Sequence, residues 1–183
     1  MSSYGKYREW IRGTPVDDVR GELLTINEES DTIEKTVEGI DWNTTQPIII
    51  EVNRFEEKEN GEDAALELTL SGVGDGGYDY IQEDEELTGY PEDGQDAFAL
   101  IDTTSGNPAD GQWGRWWLNP RLGTRASIYG RGSHGIQGEG RTLAKGWSTS
   151  QPDDPFDLTL SASSGGEIEL RATVWMPNER AEL

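Results

Sequence analysis

A block of tryptophan and arginine between residues 113 and 125 holds the side chains best suited to recognition chemistry. Indole and guanidinium groups are enriched at binding hot spots. Neighbouring side chains of an extended strand point to opposite faces, so at least one of Trp116 and Trp117 should leave the core. The block predicts a candidate subunit interface, formed by Trp113, Arg115, Trp116, Trp117, Arg121 and Arg125.

Three uses of this block remain open at this stage. The tryptophans could be core side chains that alternate inward along a strand. They could form a protein interface in which the arginines meet the acidic surface of a neighbouring subunit. They could also stack on sugar rings, as in carbohydrate-binding modules. Sequence-specific nucleic-acid binding is not expected, because the surrounding negative charge repels phosphate.

A glycine-rich segment from Gly130 to Gly135 matches the spacing G-x-G-x-x-G of dinucleotide-binding loops. That fingerprint requires a helix to begin within it, and the glycine-rich residues 136–140 cannot begin one. We interpret the segment as a flexible loop with positive-φ glycines. Ser133 and His134 point to opposite sides of an extended chain, so they do not form a nucleophile–base pair.

The composition excludes several kinds of metal and catalytic site. Cysteine is absent, and His134 is the one histidine, so thiolate and two-histidine metal sites are excluded within one chain. The carboxylates of residues 75–86 suit calcium chemically, but they lack EF-hand spacing, and we interpret them as a hydrated acidic loop. The 36 acidic residues supply so many carboxylate pairs that no single pair indicates a glycosidase. We expect no enzymatic activity, no metal and no cofactor.

The charge predicts a protein adapted to high salt. Its 183 residues include 36 acidic and 15 basic side chains, for a net charge of −21, and only 4 of the 15 are lysine. Repulsion at this density opposes compaction in dilute buffer, whereas the screening length falls to about 3 Å near 1 M salt. Residues 111–146 are the exception, with 6 basic and 1 acidic side chains. This basic segment contains the whole tryptophan–arginine block.

The elements that position these residues are predicted to be strands. Period-two alternation and short apolar runs bounded by glycine and proline predict strands at 22–26, 48–52, 64–70, 97–101, 115–118, 124–129, 156–160 and 168–174. Such a pattern is typical of an all-β, single antiparallel β-sandwich or barrel. We favour a single jelly roll, because the connections 72–96 and 130–146 are long. An immunoglobulin-like sandwich is the alternative, and it would need large insertions.

Two segments near the N-terminus have less definite patterns. Residues 31–40 fit either a capped helix or, with 23–26, a β-hairpin that turns at 27–30. We favour the hairpin, because Thr32, Thr36 and Val37 are β-branched. Residues 1–20 are expected to form an N-terminal arm or a short helical turn, and residues 21–183 a single jelly-roll domain. No apolar run is long enough to span a membrane, and no ordinary signal peptide is expected.

An acidic, cysteine-free, strand-rich chain of this length resembles the smaller major capsid protein of tailless icosahedral haloarchaeal viruses with an internal membrane, the sphaerolipovirus type. The resemblance covers the whole chain in length, charge and strand content, without a signature motif. It implies a single jelly roll that stands upright on the capsid. It also implies pseudo-hexagonal capsomers, formed with a second, larger jelly-roll capsid protein over a lipid vesicle. It implies no catalytic residues.

The expected function is therefore that of a structural capsid protein that self-assembles through β-barrel walls. Its expected partners are further copies of itself and the larger capsid protein, with possible contact to the internal membrane or its proteins. The expected location is the virion, after assembly in the host cytoplasm. The alternative is a haloarchaeal β-sandwich carbohydrate-binding module that uses exposed Trp117 or Trp147.

Overall fold

A computed structural model describes residues 20–41, 46–58, 64–84, 86, 88–103, 111–122, 125–133 and 140–177. For residues 20 and 120–122 it describes only the backbone. Strands account for 80% of these residues, and none of them is helical. The strands are β1 (Arg20–Ile40), β2 (Ile48–Glu57), β3 (Ala64–Leu70), β4 (Tyr78–Glu83), β5 (Gly89–Gln95), β6 (Phe98–Thr103), β7 (Gln112–Leu122), β8 (Arg125–Gly132), β9 (Gly140–Ser148) and β10 (Phe156–Pro177).

Seven of these strands close into an antiparallel barrel. Their order is β9-β6-β3-β10-β2-β7-β8, and β8 pairs again with β9. The ring closes at β9, where residues 140–142 pair with β6 and residues 145–147 pair with β8. Strands β4 and β5 extend the sheet from the other edge of β9. The prediction of an all-β antiparallel barrel of jelly-roll-like character is confirmed.

The core lies inside this barrel because each strand alternates apolar and polar side chains. The apolar positions predicted in 64–70, 156–160 and 168–174 are buried. A larger set of rings and branched side chains fills the interior, of which the bulkiest are Trp116, Tyr78, Phe55, Phe98 and Phe156. Burial of this apolar surface stabilises the barrel against the repulsion of its acidic exterior.

The hairpin predicted at 23–37 is wrong. Residues 20–40 form one strand, and the expected turn at 27–30 is instead paired with residues 168–171 of β10. A register shift between Ser30 and Thr32 follows the expected turn, and it leaves residues 164–167 of β10 without partners in β1. The two strands predicted at 156–160 and 168–174 are likewise one strand, the 22-residue β10. The two long strands stabilise each other by pairing along most of their length.

The loops predicted at 72–96 and 130–146 also contain strands. Residues 78–83 and 89–95 form the hairpin β4–β5, and residues 140–146 belong to β9. Their glycines and carboxylates conceal a strand from pattern analysis, because they break the apolar alternation. The predicted arm at 1–20 lies outside the described residues except for Arg20, which begins β1.

Candidate interaction surface

Alternation along β7 separates the tryptophans of the predicted interface into two groups. Gln112, Gly114, Trp116 and Leu118 face the barrel interior and are buried. Trp113, Arg115 and Trp117 face outward, and Trp113 is 58% exposed. The prediction that at least one of Trp116 and Trp117 leaves the core is confirmed, since Trp117 lies on the outer face.

Trp116 does not belong to the interface, contrary to the sequence prediction. Its side chain is fully buried, and its indole Nε1–H donates a hydrogen bond to the carbonyl oxygen of Leu143 at 2.8 Å. Two glycines make room for the ring. A Cβ at position 114 would lie 2.7 Å from the indole Cζ3, and one at position 130 would lie 2.7 Å from the Trp116 Cα. Gly114 and Gly130 therefore explain why a tryptophan fits inside the barrel.

Strands β8 and β9 add further side chains to the outer face of β7. Tyr129 is directly opposite Trp117 in register, and the two rings stack with centroids 5.5 Å apart and planes at 11°. Lys145 of β9 is opposite Tyr129, and Arg131 is opposite Arg115. We call this surface the basic aromatic face and define it as the exposed or half-buried side chains of Trp113, Arg115, Trp117, Arg125, Tyr129, Arg131, Lys145 and Trp147.

Two arginines of the predicted interface lie at the ends of strands β7 and β8. Arg125 is exposed at the start of β8, on the same side of the sheet as Tyr129. The backbone of Arg121 is in β7, and its side chain lies outside the described residues. The six residues predicted for the interface do not include Tyr129, Arg131 or Lys145. Polar or aromatic side chains at alternate positions from 125 to 131 were the signal that could have found the first two.

An open groove of about 470 Å³ crosses the basic aromatic face. Its lining consists of Glu51, Val52, Asn53, Trp113, Gly114, Arg115, Trp117 and Arg131. A register shift between Val52 and Phe55 marks a bulge in β2 beside β7. A bulge bends its strand and redirects side chains, and this one lies at Val52 and Asn53, which line the groove.

The electrostatics of the groove are set by two guanidinium groups and one carboxylate. The Arg115 guanidinium donates a hydrogen bond to Glu51 and forms an ion pair with it. Arg131 lies across the strand pair from Arg115, so the lining keeps a net positive charge. Aromatic rings beside cations suit a ligand that combines an apolar or ring surface with carboxylates.

Much of the basic segment of the sequence is concentrated on this side of the barrel. Arg115, Arg125, Arg131 and Lys145 all project outward from three neighbouring strands. Arg141, also on β9, places its guanidinium carbon 3.8 Å from the centroid of the Tyr90 ring. A chain of net charge −21 thus carries a local cationic surface, and the pairing of β7, β8 and β9 creates it.

The glycine-rich match to a dinucleotide-binding loop has a structural role. Gly130, Arg131 and Gly132 lie within β8, so the interpretation as a flexible loop is wrong for these residues. Neither glycine has a positive φ, and a Cβ at position 132 would lie 2.8 Å from the Thr142 Cγ2. Close packing against neighbouring strands therefore explains these glycines. His134 lies outside the described residues.

The acidic loops around β4 and β5 use their carboxylates to hold backbone. Asp79 accepts a hydrogen bond from the Gly94 N–H at 2.9 Å, and Asp96 accepts one from the Gly76 N–H at 2.8 Å. Asp79 also accepts the indole N–H of Trp147 at 3.2 Å. Among the described residues, no group of three or more histidine or acidic side chains could hold a metal ion.

Two glutamates away from the face have pKa values shifted in opposite directions. Burial, together with Asp102 and Asp96, raises the pKa of Glu67. For Glu169, burial opposes ionisation, but the cations Arg171, Arg54 and Lys58 outweigh it and lower the pKa.

Within the residues that the structure describes, no helix has the length and apolar character that a membrane span requires.

Comparison of the chain with protein-family profiles, curated proteins and solved structures gives no match. Its function must therefore be inferred from its own residues.

Proposed function

We propose that this chain is a structural major capsid protein of a halophilic archaeal virus, and that it assembles through its barrel walls into capsomers of an icosahedral shell. The observation that carries the proposal is the basic aromatic face. A wall of one β-barrel exposes Trp113 and Tyr129 at 58% and 50% beside four cations. Large exposed rings beside arginine are typical of protein interfaces, where burial of the rings stabilises the complex.

The charge distribution supports assembly in concentrated salt. Subunits of net charge −21 repel one another at long range in dilute buffer. At molar salt this repulsion is screened over about 3 Å, whereas ion pairs in direct contact and apolar burial persist. A cationic wall then meets the acidic surface of a neighbour, and assembly depends on ionic strength.

The proposal includes the partners and the location that go with such a protein. Its partners are other copies of this chain and a second, larger jelly-roll capsid protein, in a shell that surrounds an internal membrane. Its place is the virion, after assembly in the host cytoplasm. It carries no catalytic function and requires no cofactor, and it does not read nucleic-acid sequence.

Light scattering coupled to size-exclusion chromatography in molar KCl tests this proposal. The purified chain, alone and mixed with a candidate larger capsid protein, should elute as a complex that dissociates as the salt is diluted. Trp113→Ala and Arg131→Glu should weaken the complex. Trp113→Phe and Arg131→Lys should retain it, because they preserve the ring and the charge. A chain that stays monomeric in every salt and with every partner would contradict the proposal.

A second candidate function, carbohydrate binding, is favoured by the groove itself. Trp113 and Trp117 line it beside the polar side chains of Glu51 and Asn53, an arrangement suited to a sugar ring. Trp147, the other exposed indole of the original expectation, is engaged with Asp79 and is 37% exposed. Titration of tryptophan fluorescence with neutral and acidic glycans in molar KCl distinguishes the two functions. A saturable shift from a monomeric protein would favour the carbohydrate-binding module.

A further inference from the structure

We propose that the basic aromatic face of one subunit receives the acidic strand β1 of a second copy, in a head-to-tail contact. This inference rests on the proposed function and identifies the partner surface for the face already described. Two different surfaces of the same chain would meet, so each copy could contact one neighbour through its face and another through its β1.

Strand β1 carries more acidic side chains than any other described strand. It spans 21 residues, and among the described strands it pairs only with β10, which leaves its other edge without a strand partner. Glu22, Glu29, Glu34 and Glu38 are exposed along it. Glu29 forms an ion pair with Lys58, whereas Glu34 and Glu38 have no cationic partner among the described residues. Glu34 and Glu38 are the β1 carboxylates that we expect to contact a neighbouring subunit.

The acidic strand fits the face in length as well as in charge. Arg125 and Arg131 are six residues apart on β8, a distance of about 20 Å at the usual rise of a strand. The acidic side chains from Glu22 to Glu38 are distributed over about 50 Å of chain, measured along the strand through its register shifts. Glu34 and Glu38 are four residues apart, about 13 Å at the same rise, so one β1 can place both carboxylates within reach of the long Arg125 and Arg131 side chains.

The other open edge of the sheet is a poorer partner. Strand β5 pairs only with β4 among the described strands, but it has seven residues and contains Pro91, which lacks an N–H. Proline and a short length are common ways to keep an edge from pairing with another chain. Strand β1 has no proline within Arg20–Ile40, so its protection against pairing is its negative charge. The strands of the basic aromatic face already pair with neighbours on both edges, so the contact with β1 is made by oppositely charged side chains.

Reciprocal charge reversal tests the contact. One variant carries Arg125→Glu and Arg131→Glu on the face, and the other carries Glu34→Lys and Glu38→Lys on β1. Each variant alone would bring like charges together, so we expect the concentration for half-association in molar KCl to rise by about tenfold or more. An equimolar mixture should recover association, because the reversed face of one variant then meets the reversed β1 of the other, and the native face of the second meets the native β1 of the first. Arg125→Lys with Arg131→Lys, and Glu34→Asp with Glu38→Asp, are the charge-preserving controls.

Circular dichroism melts of all variants establish that each is folded. If the native chain associates and the mixture of reversed variants does not, the β1 contact is wrong while the capsid proposal stands. If the native chain associates only with a larger capsid protein, the contact between copies is also overturned. If the native chain stays monomeric with every partner, and an acidic polysaccharide such as alginate binds the face saturably, both proposals are overturned in favour of a glycan ligand.

Discussion

Substitution of Gly114 by alanine tests the account of how Trp116 fits inside the barrel. The new Cβ would lie 2.7 Å from the indole Cζ3 and 2.9 Å from Cζ2, well inside the 3.5–4.0 Å of an ordinary carbon contact. The ring has little freedom to move away, because its Nε1–H is hydrogen-bonded to Leu143 and Gly130 packs against its other side. Something in the core must shift, and overpacking of this kind typically costs about 1–3 kcal/mol.

Denaturant unfolding in molar KCl measures this loss as a lower midpoint at an unchanged slope. The matched control is Gly74→Ala, at an exposed loop glycine whose added Cβ would meet no atom within 4 Å. We expect the control to be neutral or slightly stabilising, since alanine reduces the entropy of the unfolded chain. The difference between the two variants isolates the contact with the indole.

A double-mutant cycle sharpens the test. Trp116→Leu removes the benzo ring that the new Cβ would strike, so Gly114→Ala should cost less in this background than in the native one. Residues in contact usually show a coupling free energy above about 0.5 kcal/mol. Equal costs in the two backgrounds, or a harmless Gly114→Ala, would refute the steric explanation.

Three further predictions concern stability. Trp116→Ala should lower the free energy of unfolding by about 3–5 kcal/mol, because it removes a fully buried ring. Trp113→Ala, at an exposed position, should change it by about 0.5 kcal/mol or less. Equal effects of the two substitutions in denaturant unfolding would contradict the assignment of faces. Glu67→Gln should stabilise the protein at pH 7, because the raised pKa of Glu67 makes its ionised form unfavourable in the folded state. The variant should lose this advantage below about pH 4, where the glutamate is protonated in both states. Thermal melts of the two proteins that differ by the same amount at every pH would count against this explanation. Glu169→Gln should destabilise the protein at pH 7, because it removes a carboxylate that is stabilised by three cations. This loss of stability should disappear as the pH falls through the lowered pKa of Glu169. A loss that persists in acid would rule out the ion pairs of Glu169 as its cause.

Sequence patterns identified most of the strands because side-chain alternation is a local property. Residues 64–70 alternate as buried and half-buried, as predicted, and the opposite orientations of Trp116 and Trp117 follow from the period of a strand. The length of a strand is not local. Residues 27–30 carry the polar composition of a turn, yet they stay extended because residues 168–171 of β10 hydrogen-bond with them.

The sequence by itself determined the all-β class, the acidic character of the chain and the presence of a basic aromatic segment. It left open which face of β7 is buried, because alternation distinguishes two faces without saying which one meets the core. The tertiary structure made that choice through Gly114 and Gly130, which give Trp116 room on the inner side. Strand pairing then brought Tyr129, Arg131 and Lys145 beside β7, because residues distant in sequence become neighbours only when their strands hydrogen-bond.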